Sequence, residues 1–156
     1  MRVHICAVGR LKAGPERSLI YDYVSRFDRT GRALALGPCA LHEVDERKAS
    51  GMADEAALLE KALPDGAVRI VMDERGKTLS SVDFANMLAR WRDEGRGDAA
   101  FVIGGADGLD PAFRAGADMV LSFGKMVWPH MLARVMLSEQ LYRAATILAG
   151  TPYHRA

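Results

Sequence analysis

The sequence predicts an α/β fold: a mainly parallel sheet with helices on both faces. Two observations carry that expectation. Short β-rich apolar runs alternate with amphipathic helical runs along the whole chain, an order that places strands side by side with helices packed over them. The runs are separated by short turns rich in Gly, Asp and Pro, with no internal repeat, low-complexity stretch or linker between them. A chain of 156 residues fits one domain, spanning 1–156.

The elements follow in order. Val3–Val8 is the first strand. Pro15 sits where a first-turn proline is tolerated, and Leu19, Ile20, Tyr23, Val24 and Phe27 recur at helical spacing. A second strand is placed near Cys39–Val44 after Gly37-Pro38. A helix from about Ser50 to Leu63 stops before the turn Pro64-Asp65-Gly66. Ala67–Met72 is a buried strand, with Asp73–Lys77 as the loop after it. Ser80 and Asp83 stand in capping-box positions, and Phe84, Leu88 and Trp91 continue that helix along one face. Ala99–Ile103 is the next strand. Asp110-Pro111 opens a short helix, Met119–Ser122 is a further strand, and the longest helix runs from about Pro129 to Leu148, with Gly150 fitting its C-terminal cap.

Composition bounds the function classes. Hydrophobic residues make up 49% of the chain, enough for a full core, and no run of about eighteen apolar residues suggests a membrane span. Cys6 and Cys39 lie far apart without metal-ligand spacing, which fits reduced thiols in a cytoplasmic protein. The net charge of +1 is not that of a general polyanion binder. Its distribution is uneven: residues 1–32 carry seven Arg/Lys against three Asp/Glu, among them Arg10, Lys12, Arg17 and Arg26. Such a face tracks phosphates or is simply a solvated helix surface; charge alone does not choose.

Open α/β sheets bind ligands beyond the carboxyl ends of their strands. Three loops occupy that position: Asp73–Lys77, Gly104–Gly108 and Phe123–Trp128. The adjacent Gly104 and Gly105 let backbone approach a ligand with no Cβ in the way. They do not form Gly-x-Gly-x-x-Gly, and no Walker lysine follows, so neither a dinucleotide nor a nucleoside-triphosphate site is indicated. Near the C-terminus, Glu139 and Arg143 stand four apart on one helix face. The tail then places Tyr153, His154 and Arg155 together: a stacking ring, an imidazole in the pKa range of a general base and a guanidinium for phosphate. A chain end is ordinarily frayed, and these residues alone do not overrule that. His130 opens the long helix, His4 lies in the first strand, and His42 lies on the second with no evident partner.

Taken together, Phe101–Gly108, Leu121–Met126, Trp128-Pro129-His130, Arg134–Ala144 and the end Tyr153-His154-Arg155 resemble the bacterial ribosomal RNA large subunit methyltransferase H family. Met72–Lys77 with Ser80-Ser81 and Phe84-Ala85, and the start Ala7–Lys12, resemble the same family. The resemblance implies a SPOUT-like fold with a trefoil knot near the C-terminus, S-adenosyl-L-methionine as cofactor, and a homodimer acting on the ribosome. It implies methylation of N3 of a pseudouridine in 23S ribosomal RNA. The cofactor pocket would be lined by Met72, Gly104, Gly105 and the loop Phe123, Gly124, Lys125, Met126, Val127 and Trp128. The tail, longer here by Ala156, would bind substrate: His154 to assist proton removal, Tyr153 to stack, Arg155 or Arg143 to meet negative charge, with Glu139 beside them. No metal is required, and no His/Cys cluster stands ready to hold one. Two alternatives stay open: a SPOUT-like enzyme with another RNA target, and a non-catalytic ribosome-binding protein.

Overall fold

The computed structural model describes residues 1–155; the Ala156 extension lies outside the described residues. Five strands form one parallel sheet: β1 (Arg2–Val8), β2 (Cys39–Val44), β3 (Val68–Thr78), β4 (Asp98–Ile103) and β5 (Met119–Ser122), in the spatial order β2-β1-β4-β3-β5. Four α-helices connect them, α1 (Pro15–Gly31), α2 (Met52–Ala62), α3 (Ser81–Asp93) and α4 (Pro111–Ala115), and α5 (His130–Ala149) follows β5.

Because successive strand side chains point to opposite faces, β1 feeds two cores. Val3, Ile5 and Ala7 pack with Ile20 and Phe27 of α1, Leu88 of α3 and Leu137 and Leu141 of α5. Cys6 and Val8 face the other way, toward Leu59 of α2 and Phe113 of α4. Helices therefore cover both faces, as the alternation predicts. The capping signals hold as well. Ser80 accepts the Asp83 N–H at 3.0 Å, Asp110 accepts the N–H groups of Ala112 and Phe113 at 3.1 Å, and Gly150 closes α5.

β3 is the main correction. The sequence reading ended it at Met72 and made Asp73–Lys77 a loop, whereas the strand extends to Thr78. Leu121 of β5 pairs first with Met72 and again with Lys77, so residues 73–76 are displaced outward between two stretches of pairing. Gly76 makes the return possible. A Cβ there would lie 2.7 Å from the carbonyl carbon and oxygen of Val120, inside any real contact distance. Apolar periodicity cannot reveal such a feature, because the displaced residues are polar.

At the amino end of the sheet, His42 also differs from expectation. His42 has a partner: its Nε2 lies 3.0 Å from His4 Nδ1, while His4 Nε2 lies 2.7 Å from Asp98 Oδ1. Arg2 completes the cluster at 2.9 Å from Asp98.

Candidate functional site

A cleft of about 630 Å³ opens beyond the carboxyl ends of β4, β3 and β5, which are neighbours in the sheet. Met72 and Ile103 form its floor where their strands end. One wall is the turn Gly104–Gly108, closed by the Gly108 N–H donating to the Gly105 carbonyl at 3.0 Å. Another is the segment Phe123–Trp128, and His130 and Ala133 of α5 border it as well. Of the residues expected to hold a cofactor, Met72, Gly104, Gly105, Phe123, Gly124, Met126, Val127 and Trp128 line the cleft. Lys125 is exposed and does not border it.

Gly104 is also required by the turn itself. A Cβ on it would lie 2.8 Å from the carbonyl of Gly108 and 2.9 Å from Leu109 Cγ. The missing side chain first allows the turn to fold against itself, and only through that shapes the space for a ligand. The segment across the cleft is pinned by Ser122, whose Oγ accepts the Gly124 N–H at 3.0 Å and lies 3.2 Å from the Glu74 carbonyl.

Carboxylates dominate the charge along the cleft. Asp73 accepts from the Arg75 N–H at 2.9 Å, from Arg75 Nε at 3.0 Å and from Arg114 at 3.2 Å. Burial alone would raise its pKa, but these donors outweigh burial and hold it below the ordinary carboxylate value. Glu74 and Asp107 share the lining. Next to the glycine turn, the Glu55 pKa is raised by burial and by the like charges of Asp107 and Glu46. Asp73 and Arg75 fall within the Met72–Lys77 motif, whereas Arg114, on α4, belongs to none and meets Asp73 only in the folded chain.

A second cluster is built on α5 and the tail. Glu139 Oε1 accepts from Arg143 Nη2 at 2.6 Å and Nε at 3.0 Å, and from the Tyr153 hydroxyl at 2.9 Å. Arg143 Nη1 lies 3.2 Å from His154 Nδ1. The Arg143 guanidinium also stands 4.8 Å over the Tyr153 ring, which packs at 4.6 Å against Tyr142. The Tyr153 hydroxyl is driven well above the usual tyrosine range, by burial first and then by its bond to Glu139. The Glu139 carboxylate likewise raises the Arg143 pKa. The tail is thus docked, not frayed. Arg155 is exposed and makes no ion pair among the described residues.

Sequence reasoning brought together Glu139, Arg143, Tyr153 and His154, and the structure does so too. No tail residue borders the cleft, however. Glu139 instead borders a second cleft of about 450 Å³, which shares Leu121, Phe123 and Gly124 with the first. Arg10 and Lys12 are exposed in the segment that leaves β1 at the same end of the sheet as the cleft. No group of three or more His, Cys, Asp or Glu suited to a metal ion occurs among the described residues.

This architecture matches one family. Residues 1–154 fit the family model described as "Predicted SPOUT methyltransferase", and the chain belongs to the SPOUT methyltransferase family. Its relatives include the ribosomal RNA large subunit methyltransferase H of Roseobacter denitrificans, 69% identical over 155 residues and 99% of both chains. The protein of the same name from Ruegeria pomeroyi is 70% identical over 155 residues, again 99% of both. Among solved structures, a probable methyltransferase from Bordetella pertussis shares the fold, with a TM-score of 0.53 at 15% identity, covering 92% of this chain and 96% of that one.

Proposed function

We propose that this chain is an S-adenosyl-L-methionine-dependent methyltransferase that methylates N3 of a pseudouridine in 23S ribosomal RNA, on the assembled ribosome. The observation that carries the enzyme reading is the cleft. At about 630 Å³ it falls in the range of small-molecule sites, roughly 300–1,000 Å³. A protein that only held phosphates would not need a cleft of that size.

The residues present fit the cofactor. Asp73, Glu74 and Asp107 place carboxylates on the cleft, which suits a cationic sulfonium ligand. The turn Gly104–Gly108 and the segment 123–128 offer backbone donors and acceptors on two sides. When bound, S-adenosyl-L-methionine supplies an electrophilic methyl group. The protein's own work is then to place the acceptor nitrogen in line and to take away the N3 proton.

The tail is suited to the second task. His154 Nδ1 lies 3.2 Å from Arg143 Nη1, so one ring nitrogen of the imidazole faces a guanidinium. When Arg143 turns toward a carbonyl oxygen of the substrate base, it meets the charge that develops there and frees His154 Nδ1. Tyr153, already packed as an aromatic surface, would stack on the base, and Arg155 would reach phosphate or a carbonyl oxygen.

Because the tail does not border its own cleft, the working site is read as shared by two copies in a homodimer. Met126, Val127 and Trp128 support this reading: the first two are 74% and 78% exposed, an unusual state for side chains of that kind. A knotted C-terminal region is part of the proposal, supported by the match to the SPOUT methyltransferase family. Arg10 and Lys12 are assigned to ribosomal phosphates, and the cytoplasm is the compartment where that substrate is found. No helix is long and apolar enough to cross a membrane among the described residues.

The test is transfer of a tritiated methyl group from S-adenosyl-L-methionine to ribosomes and to naked RNA, followed by mapping of the labelled nucleoside. Label on N3 of a pseudouridine in the large-subunit RNA, with ribosomes preferred, is the expected result. Label on another nucleoside would move the chain to a different RNA target, and no transfer would favour a binding role.

A further inference from the structure

Gln140 lies on α5 beside Glu139 and ties the Glu139–Arg143–Tyr153–His154 cluster to α3. The Ser81 hydroxyl donates to Gln140 Oε1 at 2.8 Å, across from the first turn of α3. The Gln140 amide N–H donates to Glu139 Oε2 at 3.0 Å. The other oxygen of Glu139 receives the Tyr153 hydroxyl and Arg143, and Arg143 in turn meets His154. The amide orientation is fixed by its neighbours. A reversed amide would turn its oxygen toward the Glu139 carboxylate and lose that bond.

The ends of this chain are informative. Ser81 begins α3 directly after β3, whose last residues Lys77 and Thr78 pair with Leu121 and Ser122. Ser122 pins the segment that borders the cleft. At the other end stand the tail residues. A single amide therefore joins the frame of the cleft to the docked tail.

We infer that Gln140 is a positioning residue for methyl transfer. It holds the Glu139 carboxylate in the rotamer that docks Tyr153 and Arg143, so that His154 is presented in one orientation. This rests on the function proposed above, and Gln140 acts through the Glu139 carboxylate.

Gln140→Glu tests the idea, because it keeps the shape and replaces the donor by a titratable group. The ionisable groups around the position are Glu139 and Arg143 on α5, Tyr153 and His154 in the tail, Tyr23 on α1 and Asp83 on α3, the last held by Ser80. At pH 8 the introduced carboxylate repels Glu139. Single-turnover methyl transfer should fall about ten- to a hundredfold, the usual cost of losing a charge-assisted hydrogen bond, with cofactor affinity unchanged. As the pH is lowered and the introduced carboxyl gains its proton, its O–H donates to Glu139 and activity recovers relative to wild type at the same pH. Gln140→Leu should show the loss without the recovery.

Carboxypeptidase Y provides a readout independent of activity. It should trim the tail faster in Gln140→Leu at all pH values, and in Gln140→Glu only where the introduced group is charged. Wild-type rates and wild-type trimming in Gln140→Glu at pH 8 would overturn the inference, as would an equal loss at every pH in the two variants. Inactive wild-type protein would instead overturn the function proposed above; the trimming experiment would still decide whether Gln140 docks the tail.

Discussion

The two ends of the sheet hold polar clusters of similar size and opposite character. At the amino end, Arg2, Asp98, His4 and His42 bond to one another, and His4 and Asp98 are largely shielded. At the carboxyl end, Glu74 and Asp107 face open space, and apolar Met126 and Val127 project outward. One cluster satisfies itself; the other leaves donors, acceptors and apolar surface for something else. Ionisable side chains gathered in one place do not mark a site by themselves. What marks it is polar groups beside a cleft whose needs the chain does not meet.

The largest effect should come from the tail. Removing residues 153–156 should reduce single-turnover methyl transfer by at least about 10²-fold, the scale of losing a general base, while leaving the fold and cofactor affinity intact. Mixing that variant with a chain defective in its cleft should restore activity if each site draws on both copies. A tail-deleted protein that transfers methyl groups at the wild-type rate would remove the tail from the chemistry.

Gly104→Ala comes next. The added Cβ meets Gly108 and Leu109, so the turn must open, at an overpacking cost of about 1–3 kcal/mol. Calorimetry should show cofactor affinity reduced about tenfold or more, and thermal melting should show a lowered midpoint. A normal affinity in a folded variant would mean that the glycine turn is not part of the pocket.

The smallest effect belongs to the closed end. Burial, and then the neighbouring His4, lower the His42 pKa, so the fold favours its neutral form. Stability from this group is fully present above the unfolded value of about 6.5 and is lost as pH falls through the folded value. The urea midpoint should therefore decline below about pH 6.5 with little change in slope, and His42→Gln should flatten that decline. Methyl transfer in His42→Gln should match wild type. A large loss of activity would erase the distinction between the two ends.

Much of this was legible in the sequence, for physical reasons. Strand-helix alternation, the Ser80 and Asp110 caps and the Gly150 stop are local signals, and local signals survive folding. Glu139 and Arg143 were legible because helical spacing fixes their contact. The continuation of β3 was not, since residues 73–76 are polar and only β5 gives them a reason to return. Nor was the Asp73–Arg114 pair, whose members are 41 positions apart. The His4–His42 contact was missed because it crosses two strands whose register no periodicity reveals. Ser81 and Gln140 carry ordinary side chains, and only the packing of α3 on α5 joins them.

The two thiols have a practical consequence. Cys6 lies in the core beneath α2 and α4, where burial raises its pKa to about 12; Cys39 lies in the core beneath α1, α3 and α5, its pKa raised by burial as well. Both are inert in the closed state, since the thiolate is the reactive form. Each reacts with an alkylating reagent only when its own layer of helices lifts from the sheet. The protein thus carries a built-in reporter on either side, and the ratio of the two labelling rates gives the order in which the layers open.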